Sequence, residues 1–333
     1  MTADRPRRAG AWKAAEIGGK EGLIHRLSAR HLAAFDRMVE ETRDVPTLEI
    51  GRDSFRDPAL DELMAAARDT VQNGHGAIVL SGLDMAGRSL EDFEKIHWYV
   101  GTHFGRAVAQ SGKGDRIGHV RHVSDSKARG YQSDMELGPH TDYHEVLSLA
   151  SFARASRGGL SGLSSAIAVH DEMMEHHPDL LAALYDGYYN GMPARYGVNH
   201  EEAEQKVPVF SAANGEISAF TLSWFQDAAN RRGEQLPDKL TEAFGVMREV
   251  AERDDIQARF MLEPGEMLFW NNRTNFHSRT RFENDPGVAR LLLRLWIEVP
   301  EGGRPLHPGV TAAVEMIDRY HAQGLEQRET APA

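Results

Sequence analysis

The segment RLLLRLWIEV, at residues 290–299, constrains the fold more than any other part of the chain. The odd positions from Leu291 to Val299 are all apolar, whereas two of the even positions are Arg290 and Arg294. Alternate residues of a strand point to opposite faces, so one face is predicted to pack into a core while the other carries two guanidiniums, ~13 Å apart at ~3.3 Å per residue. An unpaired arginine on an inner face is costly, which favours a pocket for a dianionic acid. The alternative is an edge strand with solvated arginines.

The rest of the pattern predicts a β core wrapped by helices. Residues 58–73 and 237–253 repeat apolar side chains at steps of three and four, as amphipathic helices do. The segment AIAVHDEMMEHHPDLLAALYDGY, at 166–188, is predicted to be a strand followed by a helix. Asn214-Gly215 lies between two alternating runs and predicts a hairpin. Together these elements favour two β-sheets with flanking helices in one domain.

The composition excludes several classes of function. The net charge of −12 argues against binding to nucleic acid or to an anionic membrane surface. The chain has no cysteine, which excludes disulfides, thiolate catalysis and zinc–thiolate sites, so a metal would need His, Asp or Glu. No apolar run reaches the ~20 residues of a membrane span. We therefore expect a cytoplasmic protein that binds a small molecule.

The domain organisation is predicted to be simple. Residues 1–22 are expected to be a flexible leader and residues 321–333 a flexible tail. A single domain is expected over 23–320, and the chain is a candidate to form a homo-oligomer. Within it, the polar and glycine-bearing segment of about 185–235 is the predicted lid.

Two distant segments supply metal-ligand side chains. In GPHTDYHEVLSLASF, at 138–152, His140 and Asp142 are two residues apart at the start of a predicted strand, so their side chains share a face. In LFWNNRTNFHSRT, at 268–280, an apolar strand is predicted to run into a polar loop that carries His277. Two histidines and one carboxylate with three open positions form the facial triad of non-haem Fe(II) oxygenases. An HxD pair alone also fits a polar strand edge.

These motifs together resemble the taurine dioxygenase/clavaminate synthase-like family of Fe(II)- and 2-oxoglutarate-dependent oxygenases. The resemblance spans roughly residues 45–300 and includes the upstream stretches GHGAIVLSGLDMAG and GTHFGRAVAQ. It implies that His140, Asp142 and His277 ligate iron. It also implies that Arg290, which follows the distal histidine at the family's spacing, binds the far carboxylate of 2-oxoglutarate.

The resemblance implies further roles and a fold. Arg294 matches an arginine that faces substrate in the family. Ser161, in GGLS, matches a residue that supports 2-oxoglutarate, with Ser164 and Ser165 as neighbouring candidates. The implied fold is mainly β with flanking helices, built on a double-stranded β-helix, the jelly-roll of cupin-like proteins, with iron at its mouth.

Two more residues are candidates from their own pattern. His119 and Arg121 share a face of a predicted strand, so they either line the substrate pocket or lie on a surface strand.

The sequence thus predicts a dioxygenase that uses Fe(II), 2-oxoglutarate and O₂. Its expected reaction is hydroxylation, desaturation or cyclisation of a small molecule, such as an amino acid or another carboxylate. One alternative is a non-catalytic jelly-roll protein that binds a metal or ligand, which would form no succinate from 2-oxoglutarate. Another is a hydrolase with a different divalent metal, but such an enzyme has no use for the arginine-bearing strand.

Overall fold

The computed structural model describes residues 10–123, 133–191, 202–221, 224–287, 289–299 and 303–329. In this part of the chain the helices are α1 Ala14–Ile17, α2 Ala29–Glu41, α3 Pro58–Asn73, α4 Leu90–Thr102, α5 Ala166–His176, α6 Pro178–Asp186, α7 Phe225–Arg232, α8 Asp238–Glu252 and α9 Pro308–Glu329, with 3-10 turns at Gly19–Leu23 and Thr47–Glu49. The strands are β1 Ile24–Arg26, β2 Ala77–Ser81, β3 Arg106–Ala107, β4 Gly118–Val120, β5 Leu137–His140, β6 Val146–Ala153, β7 Arg157–Gly158, β8 Ser161–Ser165, β9 Tyr188–Gly191, β10 Glu202–Val207, β11 Phe210–Ala213, β12 Glu216–Ala219, β13 Gln257–Phe260, β14 Met267–Asn271, β15 Asn275–Arg279, β16 Phe282–Glu283 and β17 Leu291–Glu298.

Two sheets form the β core. The larger sheet has the strand order β1-β2-β14-β6-β17-β3, and β4 also pairs with β17. The smaller sheet has the order β13-β8-β15-β5. Side chains from both sheets, among them Leu163, Trp270 and Trp296, meet in one hydrophobic cluster. The helices flank this core, as the sequence predicts for a mainly β chain.

Strand β17 lies inside the larger sheet, not at an exposed edge. On its odd-numbered face, Leu293, Leu295 and Ile297 pack into a second cluster with helices α2, α3 and α4. On the other face, Arg294 and Trp296 are also buried and face the smaller sheet. Alternation in this segment therefore separates two buried surfaces, and the prediction of inward-facing arginines is confirmed.

Helix α3 forms as predicted, whereas the prediction for residues 166–169 was wrong. The carboxylate of Asp57 caps α3 by accepting the Ala59 N–H at 2.8 Å. The segment AIAV is the first turn of α5, because the Ser165 hydroxyl caps it by accepting the Ala168 N–H at 3.0 Å. The strand lies just before it, in β8.

The predicted hairpin is strands β11 and β12, which are joined by Asn214 and Gly215. These two residues have φ of 52° and 81°, the left-handed pair that a two-residue type I′ turn needs. The hairpin, together with β9, β10 and α7, makes up the described part of the predicted lid at 185–235; residues 192–201 and 222–223 lie outside the described residues.

The two ends of the chain are described in part. From residue 10 onward the predicted leader packs on the core: Trp12 is 1% exposed and its Nε1–H donates to the Asn275 Oδ1 at 3.1 Å. Residues 1–9 and 330–333 lie outside the described residues. Nowhere in the described ranges is a helix both long and apolar enough to span a membrane. The cytoplasmic location and a homo-oligomer stay predictions.

Candidate metal centre and anion pocket

The three predicted metal ligands come together at the edge where the two sheets meet. His140 is the last residue of β5, and Asp142 follows in the turn that leads to β6. The expectation that both open one strand was therefore wrong: His140 ends a strand of the smaller sheet, and Asp142 lies in the turn after it. His277 lies within β15, not in a loop, and is the direct cross-strand neighbour of His140.

The geometry of the triad fits one metal ion. One ligand atom from each of His140, Asp142 and His277 lies within 4.8 Å of the other two. The imidazole rings of the two histidines are tilted by 42°, with centroids 4.1 Å apart. The His277 Nε2 lies 3.9 Å from the Asp142 Oδ2. Donors this close can all contact a single small cation.

Hydrogen bonds hold the two ligands of the turn in place. The His140 Nδ1 is 2.8 Å from the Gly138 carbonyl, so Nδ1 carries the proton and Nε2 is left to bind a metal. The Asn272 Oδ1 accepts the Asp142 N–H at 3.1 Å. The Asn272 amide also donates to the carbonyls of Asp142 and His144, at 2.7 and 3.0 Å. The side chain of Asn272 thus clamps the backbone of the turn.

The charge states of the ligands also suit a divalent cation. Burial opposes ionisation of Asp142, but Arg294, His277 and His140 together outweigh it and hold the pKa of this carboxyl below its usual value. The Trp296 Nε1–H adds a hydrogen bond to the Asp142 Oδ2 at 2.9 Å. Burial lowers the pKa of His277 well below its usual value. The set is therefore a carboxylate and a neutral imidazole, with the second imidazole oriented by Gly138.

A cavity of about 620 Å³ opens beside the triad. All three metal ligands line it, together with Arg290, Arg294 and Ser161. The opposite wall comes from α8, through Phe244, Met247 and Arg248, and from Thr221 and Trp224. This volume holds a cosubstrate and a small substrate side by side.

Arg290 forms a buried cationic end of the cavity. The residue is 3% exposed, and its guanidinium carbon lies 5.0 Å from the ring centroid of Phe282. Its Nη1 is buried with no hydrogen-bond partner among the described residues. Burial, with a smaller effect of Arg279, lowers the pKa of Arg290 to about 9, so the side chain is still charged at neutral pH. A carboxylate would satisfy this group through a charge-assisted contact.

The three serines near this end differ in their surroundings. Ser161 is buried and lines the cavity. The Ser164 hydroxyl donates to the Ala251 carbonyl at 2.7 Å, and the Ser165 hydroxyl donates to the Gly10 carbonyl at 2.6 Å. Ser161 is thus the one of the three whose position matches the predicted role.

Arg294 lies closer to the metal ligands than its predicted role requires. Its Nη1 is 3.5 Å from the Asp142 Oδ2, and its Nε donates to the Gln110 Oε1 at 2.7 Å. The guanidinium also lies over the Trp296 ring, 4.9 Å from its centroid. Arg294 therefore balances the charge of Asp142 while it lines the cavity.

His119 and Arg121 are not brought to the cavity. His119 is on β4, and its Nε2 lies 2.7 Å from the Glu94 Oε1. Both residues are exposed, and the neighbour that lines the cavity is Val120. His119 and Arg121 therefore lie on a surface strand, which was the alternative. The strand places Val120, and not His119, on the face towards the cavity.

Sequence reasoning gave no role to several residues of the site. Trp296 shares a face with Arg294 at a spacing of two, which is a signal that the alternation already contained. Gln110, which orients Arg294 from a loop, carries no pattern. Thr221 and the cavity-facing side of α8 could be found only once the chain was folded.

Comparison with known proteins identifies the family. Residues 41–296 match the model of the family described as taurine catabolism dioxygenase TauD, TfdA family. The chain belongs to this family. The resemblance read from the motifs is thereby confirmed.

Individual TauD/TfdA relatives are more distant. The chain is 27% identical to FR-33289 synthase of Streptomyces rubellomurinus over 257 residues, which cover 72% of this chain and 74% of that protein. It is 25% identical to the taurine hydroxylase-like protein SAT17 of Stachybotrys chartarum over 344 residues, 96% of this chain and 86% of that protein.

Solved structures confirm the jelly-roll fold. An asparagine oxygenase in complex with Fe(II), 2S,3S-3-hydroxyasparagine and succinate superposes with a TM-score of 0.66 at 16% identity, covering 84% of this chain and 98% of that one. The non-haem iron oxygenase OrfP, in complex with Fe, succinate and (3S)-hydroxy-L-Arg, gives a TM-score of 0.61 at 13% identity, covering 83% and 94%.

The residues present fit the Fe(II) and 2-oxoglutarate of such enzymes. The donor set of two imidazoles and one carboxylate leaves half of an octahedron open, which suits Fe(II). The Nη1 of Arg290, which has no hydrogen-bond partner in the described part of the chain, fits the far carboxylate of a dicarboxylic acid. Both features line one cavity.

Proposed function

We propose that this protein is an Fe(II)- and 2-oxoglutarate-dependent oxygenase that hydroxylates a small anionic molecule, such as an amino acid or a similar carboxylate. The observation that carries the proposal is the half-buried triad in one cavity with an arginine that has no anionic partner among the described residues. Bound iron and 2-oxoglutarate would supply the oxidising chemistry with O₂, and the protein supplies position and exclusion of water.

In this proposal, five residues that line the cavity bind the iron or the cosubstrate. His140, Asp142 and His277 hold the iron. Arg290 holds the far carboxylate of 2-oxoglutarate. The Ser161 hydroxyl, on the neighbouring strand β8, supports the same cosubstrate.

The anionic substrate follows from the charges that line the cavity. Four arginines line it, and Asp142 is the one carboxylate among the described lining residues. Arg248 shares its charge with Glu136 and Glu252, which lie outside the lining. Even after Asp142 is balanced by Arg294, the cavity keeps a positive excess that favours an anion. The amino-acid ligands named for asparagine oxygenase and OrfP are consistent with this class.

Arg294 is proposed to contact the substrate anion as well as Asp142. The residue is 8% exposed and lines the cavity next to Trp296. A substrate carboxylate bound to Arg294 would lie beside the metal ligands. The carbon atoms next to that carboxylate, such as the α-carbon of an amino acid, would then be close to the metal.

An anaerobic titration tests the cofactor pair. Fe(II) and then 2-oxoglutarate are added to metal-free protein while the weak visible charge-transfer band of the chelated cosubstrate is monitored. We expect a saturable band in the wild type and no band in the His277→Ala variant. A folded, iron-binding protein without the band would favour the non-catalytic alternative.

A substrate screen follows the titration. Succinate formed from 2-oxoglutarate under air is measured with a panel of amino acids, other carboxylates and neutral analogues of the same size. We expect stimulation by anionic members only. Stimulation by neutral amides at least as strong as by the acids would contradict the proposed substrate class.

A further inference from the structure

The turn that carries the metal ligands is tied to the cavity wall by a reciprocal pair of threonines. Thr141 lies between His140 and Asp142, and Thr221 follows the hairpin β11–β12 in the wall. The Thr141 N–H donates to the Thr221 Oγ1 at 2.9 Å, and the Thr221 N–H donates to the Thr141 Oγ1 at 2.8 Å. The Thr141 hydroxyl also points to the Thr221 carbonyl, at 3.4 Å.

This pair is buried and therefore costly to break. Thr141 is 1% exposed and Thr221 is 5% exposed. If one partner moved away, two backbone amides would lose their acceptors in a place that water does not reach, at about 1–3 kcal/mol for each buried group. The cost of breaking these hydrogen bonds therefore favours movement of the turn and the wall as one unit.

Aromatic packing beside the threonines joins the same two segments. The ring of Tyr143, next to Asp142, lies 6.2 Å from the Phe220 ring and 5.5 Å from the Trp224 ring, measured between centroids. Phe220 and Trp224 flank Thr221 on the wall, and Trp224 lines the cavity. A substrate that contacts Trp224 therefore contacts a ring that packs on Tyr143, the residue next to the metal ligand Asp142.

The core holds the other side of the turn. Asn272 clamps Asp142 from the β14–β15 connection, as described above. The backbone amides of Thr141 and Asp142 are thus bound by different parts of the molecule, the first by the wall and the second by the core. The position of the Asp142 carboxylate depends on both.

We infer that Thr141 and Thr221 are positioning residues that couple the wall over the substrate to the metal-ligand turn. Loading of the metal centre stiffens the wall through this pair, and a wall closed on substrate holds Asp142 in its ligating position. The inference rests on the proposed function and adds to it a mechanical link between the cosubstrate side and the substrate side.

Hydrogen exchange measured by mass spectrometry tests the link without a substrate. Peptides from residues 210–221 are followed in metal-free protein and after anaerobic addition of Fe(II) and 2-oxoglutarate. In the wild type we expect loading to slow exchange of these wall amides by about 5-fold or more, the lower range of typical coupling between sites. In Thr141→Val and in Thr221→Val we expect this slowing to be lost.

Matched variants separate coupling from a general loss of stability. Thr42→Val removes a buried threonine hydroxyl whose hydrogen bond, to the Met38 carbonyl at 2.7 Å, lies in α2 and the turn that follows, on the other side of the larger sheet. This variant should keep the wild-type slowing. Thr141→Ser keeps the hydroxyl and should restore it. The double valine variant removes both amide–hydroxyl bonds and should also show no slowing.

The outcomes distinguish the two proposals. If the charge-transfer band never forms, the proposed cofactor chemistry fails. If the band forms normally but wall exchange does not change in the wild type, or changes equally in Thr141→Val, the coupling is overturned and the cofactor assignment stands.

Discussion

At the scale of single residues, the site is organised around one half-buried carboxylate. Asp142 receives a hydrogen bond from Trp296, lies near Arg294 and is clamped through its backbone by Asn272. Metal sites depend strongly on such surrounding groups, because these fix the orientation and charge of the ligands. The carboxylate is therefore ready to bind a cation before one arrives.

The sequence predicted the ligands better than their surroundings. His140, Asp142 and His277 could be found because iron chemistry requires that residue set, and Arg290 because of its place in an alternating strand. Gln110 orients Arg294 through a contact made by long-range folding. No local pattern encodes such a contact, so the role of Gln110 was beyond prediction.

The indole of Trp296 should contribute to metal affinity. Trp296→Phe removes the hydrogen bond to Asp142 and keeps most of the packing, so we expect Fe(II) affinity to fall by ~10-fold, in the range typical of such partners. Trp98→Phe is the matched control, since the Trp98 Nε1–H donates to the Ile50 carbonyl far from the site. Anaerobic Fe(II) titration measures the Fe(II) affinity of both variants. Equal affinities would show that the indole of Trp296 does not contribute to metal binding.

The guanidinium of Arg290 should set the affinity for 2-oxoglutarate. Arg290→Gln removes the buried positive charge, and the loss of a charge-assisted contact at ~1.5–3 kcal/mol predicts a Kd for 2-oxoglutarate that is roughly 10- to 150-fold higher. Fe(II) affinity should stay within a few-fold of the wild type. The exposed Arg154, paired with Glu263, gives the control Arg154→Gln. An unchanged Kd in Arg290→Gln would move the role to Arg279 or Arg248.

At the scale of elements, errors in prediction have local physical causes. Strand β5 has the sequence LGPH, and glycine and proline both disfavour strands. It forms because β15 pairs with it, which is a tertiary effect. Residues 166–169 are apolar in a run too short to distinguish a strand from a helix, and the cap by Ser165 decides for the helix. Helix α3 was predictable because its cap, periodicity and glycine stop all agree.

Helix α4 carries a histidine that should make the protein sensitive to acid. His97 is fully buried against the larger sheet, with its Nε2 at 2.7 Å from the Ser148 Oγ, and burial lowers its pKa to about 3. Between pH 6.5 and 3, the unfolded chain binds a proton at this position that the folded chain does not. The free energy of unfolding should therefore decrease as pH falls below 6.5, by about 2 kcal/mol from this residue at pH 5.

The variant His97→Gln tests this origin of the pH dependence. Denaturant unfolding between pH 7 and 5 should show a slope that is smaller by about one proton. Part of the slope should remain, because burial also lowers the pKa of His103, to about 4. The exposed His176→Gln is the control. A slope in His97→Gln equal to that of the wild type would show that His97 does not cause it.

At the scale of the whole molecule, the metal centre joins parts of the β core. His140 and His277 belong to the smaller sheet, and Asp142 lies on the connection that enters the larger one. The cavity, the segment that follows the hairpin β11–β12 and α8 all meet at this point. A cation bound there ties segments that are remote in sequence, so it should stabilise the entire fold.

Iron should therefore raise the melting temperature. Under anaerobic conditions, Fe(II) at about 100 times its Kd adds roughly 2.7 kcal/mol to the free energy of unfolding, which for a chain of this size is a shift in Tm of about 3–5 °C. The shift should vanish in His140→Ala and persist in His119→Ala, whose imidazole is outside the cavity. Calorimetry measures it, and an equal shift in His140→Ala would place the stabilising iron elsewhere.

The cross-strand pairing of His140 with His277 has a consequence for biosynthesis. Strand β15 is translated long after β5, so an emerging chain carries only His140 and Asp142 until its last third leaves the ribosome. Two ligands without the register partner hold iron weakly, and a slip of one residue between these strands would turn His277 to the opposite face. All three ligands can therefore meet one iron only after these two strands have paired in the correct register.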